Sequence, residues 1–228
     1  HVDNSMSFVA NASEAMRISS SGKVGIGTSS PDQELHVSAS ATPVIRIESR
    51  NNGLGVNESI GSLEFEKLDA SGGGAGVASS INCFTTDLGG AVALSFQTGS
   101  SSGNNVERMR IDSSGNVLVG TTNANNVSDG IRLKPDGFIS AANTSGPVLY
   151  ANRLSTDGSI LSFQKDGTTV GSIQSRAGVV STIVLDPRAN GVGLTGSANA
   201  LTPTSNTGVL SNAVMDIGGT GTNFKDLF

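Results

Sequence analysis

Apolar residues along this chain recur at every second position, and nowhere at the three-and-four spacing that a helix sustains over ten or more residues. In PVIRIESR (43–50), Val44, Arg46 and Glu48 alternate with Ile45, Ile47 and Ser49. In SLEFEKL (62–68), Leu63 and Phe65 are set against Glu64 and Glu66. Both have the period of a half-buried strand. ILSFQKDGTTVGSI (160–173) predicts a hairpin, with strands over 160–165 and 168–173 on either side of Asp166-Gly167. Three more Asp-Gly pairs, Asp129-Gly130, Asp136-Gly137 and Asp157-Gly158, supply the positive backbone angles of tight turns. The pattern predicts an all-β chain.

One hairpin is written more than once. EAMRISSSGKVGIGT (14–28) returns 93 positions later as ERMRIDSSGNVLVGT (107–121), and a looser copy, IRLKPDGFISA, follows at 131–141. Five positions are shared: Met16, Met109 and Ile131; Arg17, Arg110 and Arg132; Ile18, Ile111 and Leu133; Gly22, Gly115 and Gly137; Val24, Val117 and Ile139. The glycine takes the turn position that disfavours a side chain. The offsets of 93 and 22 are unequal, so this is a module reused between inserts and not a solenoid of fixed period. The expected organisation is 1–37, an N-terminal strand and the first hairpin; 38–127, a small β module ending in the second; 128–146, the third as connector; and 147–228, a C-terminal β module. The first insert, 38–106, reads as four strands around SGGGAG (71–76).

Composition changes the picture by thinning the core. Charged residues are 14 % of the 228, aromatics 4 %, and Trp is absent. Leu, Ile, Val and Phe together make about a quarter of the chain, above the roughly 20 % below which chains stay disordered. Burial at about 25 cal/mol per Å² is then a weak offset to chain entropy in a lone copy. An obligate oligomer is expected, in which residues that look like surface in one chain face another chain. A net charge of -5 argues against nucleic acid and anionic bilayers as partners. The best candidate for a membrane span, AGVVSTIVL (177–185), has half the length a span needs and contains Ser181 and Thr182, so no membrane insertion is expected. No signal peptide is visible, and the opening on His1 predicts a start further upstream.

Candidate chemistry is sparse. GVGLTG (191–196) fits the dinucleotide fingerprint, follows the strand-like STIVL and has Asp216 twenty residues beyond Gly196. That site requires a helix after the glycines, whereas SANALTPTSNTG contains Pro203 and no amphipathic period. His1 and His36 have no partner at a zinc spacing, so no metal and no cofactor are expected. Glu64, Glu66 and Asp69 contain the carboxylates of a glycosidase, but Glu64 and Glu66 share one strand face, as on a solvated surface. No G-x-S-x-G elbow occurs. Cys83, the lone cysteine beside Phe84, reads as a small buried hydrophobe. Arg17, Arg110 and Arg132 are expected to pair with acids across a strand or chain boundary, with Glu14 and Glu107 as partners. No catalytic residue is assigned.

At its repeats the chain resembles the distal fibre proteins of tailed bacteriophages. The likeness rests on ERMRIDSSGNVLVGTT and VGIGTSSPDQELHV, with Gly25-Ile26-Gly27-Thr28, Ser30-Pro31 and Leu35-His36-Val37, and on GPVLYANRLSTDGSILSFQKDGTTVGSI and ALTPTSNTGVLSNAVMDIGGTGTNFKDLF. Leu118 departs from it, standing where the first repeat has Gly25. NFKDL (223–227) is similar to the stretch that precedes a self-cleaving intramolecular chaperone in such fibres, which implies that the chaperone is cleaved off or lies outside this chain. The resemblance implies an elongated parallel homotrimeric fibre of small β modules joined by repeated hairpins, located in the extracellular virion. Its implied role is structural and adhesive, in host attachment without enzymatic activity. Implied partners are other tail or baseplate proteins and a host-surface glycan or protein receptor; separately, the Gly- and Ser-rich stretches 101–105 and 69–76 are expected to be exposed tips. The alternatives are a capsule-degrading tailspike, opposed by the absence of Trp and the single Tyr150, and a trimeric bacterial surface adhesin.

Overall fold

The computed structural model describes residues 4–68, 75–99, 105–176, 180–197 and 200–210, all of them strand, turn or irregular chain with no helix. It divides into two compact units, 1–144 and 145–228. The first unit opens with β1 (Met6–Ala10), β2 (Ser13–Ile18), β3 (Val24–Ile26) and β4 (Leu35–Val37), which form a four-stranded sheet in that order. β3 and β4 run parallel and their neighbours antiparallel. Next come β5 (Ser59–Lys67), β6 (Gly76–Thr85), β7 (Val92–Gly99), β8 (Asn105–Ile111), β9 (Val117–Val119), β10 (Gly130–Leu133) and β11 (Ile139–Ala142), an antiparallel meander of seven strands. The second and third hairpin copies, β8–β9 and β10–β11, are therefore consecutive pairs in one sheet. The second unit is a five-stranded antiparallel meander of β12 (Gly158–Lys165), β13 (Thr168–Arg176), β14 (Val180–Val184), β15 (Val192–Ser197) and β16 (Ala200–Ser205).

The turns follow from residue type. β12 and β13 join through Asp166 (φ 51°) and Gly167 (φ 77°), two positive angles in succession, as the two-residue hairpin requires. The other Asp-Gly pairs behave differently. Asp136-Gly137 lies in a longer turn, while Gly130 and Gly158 open strands β10 and β12 and turn no hairpin.

The three repeat hairpins share one turn. In the first, Ser19 N donates to Lys23 O at 2.9 Å and Gly22 N to Ser19 O at 3.0 Å, with Gly22 at φ 87°. Asp112 to Asn116 and Lys134 to Phe138 repeat both bonds, with Gly115 at φ 80° and Gly137 at φ 84°.

Two strand expectations need correction. PVIRIESR (43–50) belongs to no strand, although its alternation is regular. A strand needs a hydrogen-bonded neighbour, and this segment pairs with no strand among the described residues; the Ile47 side chain fills the place a Cβ would take at Gly61 of β5. The first insert thus holds β5, β6 and β7, with β8 starting at its end, in place of four strands around SGGGAG.

Candidate functional site

The strand register sorts side chains onto faces, and the sorting is the same in both sheets of the first unit. Across the seven-stranded sheet one row reads Ile139, Leu133, Val117, Ile111, Leu94, Cys83, Gly61. The next row on that face reads Ala141, Ile131, Val119, Met109, Phe96, Ile81, Leu63. No charged side chain occurs in either row. In the four-stranded sheet the corresponding rows are Met6, Ile18, Val24, Leu35 and Phe8, Met16, Ile26, Val37.

These apolar faces are open. No residue of the two seven-strand rows is buried, and Ile139 is 71 % exposed, Leu63 53 % and Ile131 46 %. The opposite, polar face is the closed one. Its row reads Ser140, Arg132, Leu118, Arg110, Ser95, Asn82, Ser62, and Arg132, Leu118 and Ser95 are wholly inaccessible. Long side chains lie over short ones there. Gln97 spans Ser80 and Ser95 through its amide, and the Arg110 guanidinium stacks 5.2 Å from the centre of the Phe84 ring. The five-stranded sheet follows the same division. Leu161, Ile173, Ile183, Leu194 and Pro203 form a row with Ile183 exposed, while Thr182 and Thr195 are buried on the other side, their hydroxyls 2.7 Å apart.

The repeat arginines lie on the polar faces, Arg110 and Arg132 on the closed face of the seven-stranded sheet and Arg17 on the face of the four-stranded sheet opposite its apolar rows. Arg17 donates from Nε and Nη2 to the two Glu14 oxygens at 2.8 and 2.6 Å, and Arg110 does the same to Glu107 at 2.6 and 2.7 Å. Both expected partners are present, and each lies on the arginine's own strand. Residues three apart in a regular strand point to opposite faces. A β-bulge reconciles this: Phe8 pairs with Met16 and Val9 with Glu14, leaving Ala15 extra, and Phe96 pairs with Met109 and Gln97 with Glu107, leaving Arg108 extra. The bulge carbonyls accept from Gly27 N and Gly120 N, both at 2.9 Å, and these glycines have φ 72° and 69°. The sequence signature of the fork is therefore E-x-x-R followed by a glycine ten residues after the arginine.

Arg132 breaks the pattern. β9 and β10 pair without a bulge, so Asp129, three residues before it, is not brought to its face. Arg132 donates instead to the carbonyls of Asn123 (2.8 Å), Ser128 (2.7 Å) and Gly130 (3.2 Å) and to the hydroxyls of Ser128 and Thr121. Asp129 accepts from the Thr144 hydroxyl at 2.7 Å.

A further copy of the turn escapes sequence reading. Ser205 N donates to Val209 O at 2.8 Å and Gly208 N to Ser205 O at 3.0 Å, with Gly208 at φ 80°. The bridge Thr204–Leu210 then takes the place of Ile18–Val24. Pro203 and Thr204 stand where the other copies have arginine and an aliphatic, so only the glycine spacing in TSNTGVL could have signalled it.

The remaining candidates come to rest in ordinary positions. Gly191–Gly196 lies in and beside β15, which pairs with β14 and β16, so no helix N-terminus is available to a pyrophosphate. His36 is in β4 with Nδ1 3.0 Å from Asp32 Oδ1. Glu64 and Glu66 are exposed on β5. Cys83 is half-buried on the apolar face between Leu94 and Gly61. Among the described residues no group of three His, Cys, Asp or Glu is placed to hold a metal. His1, Asp69, Asp216, most of the 69–76 and 101–105 tips and the NFKDL segment lie outside the described residues. Asp186 and Arg188 form an exposed fork, which lowers the Asp186 pKa from 3.8 to about 2 through the Arg188 hydrogen bond and raises that of Arg188. No protein-family model matches the chain, and no curated protein matches it either.

Proposed function

We propose that this chain is a structural and adhesive segment of a tailed-bacteriophage tail fibre, assembled from three parallel copies and located in the virion, where it contributes to host attachment without catalysis. The observation that carries the reading is the set of open apolar sheet faces. Large aliphatic rows in water are unfavourable at about 25 cal/mol per Å², and identical faces on further copies cover them without a second gene product. The resemblance in the repeated joints supplies the number of copies and the viral setting. Three copies held in parallel present each weak receptor contact three times, so attachment gains through effective concentration.

Two experiments test this. Negative-stain electron microscopy of the purified chain is expected to reveal an elongated particle; a compact globule contradicts the fibre reading. Fluorescently labelled protein, applied to a panel of bacterial strains, is expected to bind some of them as the assembly and to lose most of that binding when the copies are separated. Equal binding by separated copies removes the avidity argument.

A further inference from the structure

The repeat keeps three apolar positions, and all three point the same way. Met16, Ile18 and Val24 in the first copy, Met109, Ile111 and Val117 in the second, and Ile131, Leu133 and Ile139 in the third all lie on the open face. The shared arginine lies on the opposite one. None of these nine apolar side chains is buried within the chain, although repetition has preserved their character.

We infer that the open face of the seven-stranded sheet is the surface by which copies of this chain pack on one another, with Val119, Met109 and Phe96 central in the contact and the Glu107–Arg110 fork turned away from it. The fibre reading is used here only for the number of copies; the identity of the contacting face is independent of it.

Three observations select a second copy as the occupant. The first is area. Leu63, Phe65, Val92, Leu94, Val106, Ile111, Val119, Ile131, Leu133 and Ile139 share this face at 37 to 71 % exposure, which leaves on the order of 800 Å² open, the share one partner contributes to a stable interface. The second is charge. Around a threefold axis equivalent residues of the copies face one another, so a charge near the axis meets its like; the two central rows contain none, and Arg108 touches only the margin of the patch, donating from Nε to the Thr98 hydroxyl at 3.0 Å. The third is that the other face is already satisfied within the chain, by Gln97 over Ser80 and Ser95 and by Arg110 over Phe84.

Cys83 makes the test direct, because the chain's one cysteine sits in the row between Leu94 and Gly61. Maleimide labelling of the intact native protein is expected to be slowed on the order of 100-fold relative to the urea-unfolded chain. Val119→Asp and Leu63→Asp, both at positions exposed in the single copy, are expected to give smaller particles by light scattering. They should retain the far-ultraviolet circular dichroism of strands and release Cys83 to labelling. Leu88→Asp, in an 80 % exposed turn residue off this face, is the control and leaves mass and labelling unchanged. A multimer in which Cys83 reacts at the unfolded rate, or whose mass Val119→Asp and Leu63→Asp leave intact, overturns this face as the contact and leaves the fibre reading to rest on the open rows of the other two sheets. If either variant fails to fold, the labelling of the unsubstituted protein decides. A protected Cys83 in a dimer upholds the face and overturns the three-copy reading. A monomer with reactive Cys83 overturns both.

Discussion

Removing the charge of Glu107 isolates what the bulge and fork contribute. In Glu107→Gln the side chain keeps its shape, but one of its two contacts to Arg110, now 2.6 and 2.7 Å, becomes an amide N–H facing a guanidinium N–H. The side chains of the pair are only 16 and 20 % exposed, so water repairs the loss poorly. An exposed ion pair contributes about 0–1 kcal/mol, and breaking a fully buried one costs about 3–5 kcal/mol. This geometry lies between, and the expected loss is about 2 kcal/mol. For a cooperative unit of this size that corresponds to a fall in Tm of about 4–8 °C, read at fixed protein concentration because association also shifts Tm. The double-mutant cycle Glu107→Gln with Arg110→Gln should return a coupling of about 1–2 kcal/mol in urea titrations. Asp129→Asn is the internal comparison: no bulge turns Asp129 towards Arg132, and its expected cost is under about 0.5 kcal/mol. A coupling below about 0.3 kcal/mol, or an Asp129→Asn variant as destabilised as Glu107→Gln, refutes the reasoning.

Further outcomes follow from the same geometry. Gly27 and Gly120 occupy one position of the repeat at φ 72° and 69°, but an added Cβ at Gly27 collides with the Ser38 carbonyl and at Gly120 meets open space. Gly27→Ala should therefore cost about 3 kcal/mol or more and Gly120→Ala about 1 kcal/mol in chemical denaturation. Gly167→Ala, at φ 77° with free space around it, should cost about 1 kcal/mol through backbone strain alone. The Asp186 carboxyl should titrate by NMR at about 2, moving back towards 3.8 in Arg188→Gln. Since its folded pKa is the lower one, the stabilisation from that pair is complete above pH 4 and fades as the pH falls towards about 2; a midpoint near 3.8 in the unsubstituted protein removes the pair from the account.

Much of the fold was legible because β structure writes its period into the residues. SLEFEKL became part of β5, and Asp166-Gly167 became a two-residue hairpin, because side-chain alternation and positive φ are local properties. PVIRIESR has the same alternation and formed no strand, since pairing depends on a neighbour that the segment's own residues do not specify. The forks were half legible. Glu14 and Glu107 could be named as partners, but the bulges that turn them to the arginine face depend on register with β1 and β7, which spacing alone does not reveal. The inversion of the sheets was the least visible feature: alternation separates two faces without saying which one the chain closes, and here Ser95 and Arg132 are sealed while Ile139 is open.

The molar mass of the purified chain in dilute solution, measured by light scattering behind size exclusion, bears most directly on the claim that the apolar faces are interfaces between copies. The account predicts three times the chain mass of 23.0 kDa, persisting on dilution to the lowest detectable concentration. A single-chain mass, with a cooperative melt independent of concentration, would contradict it.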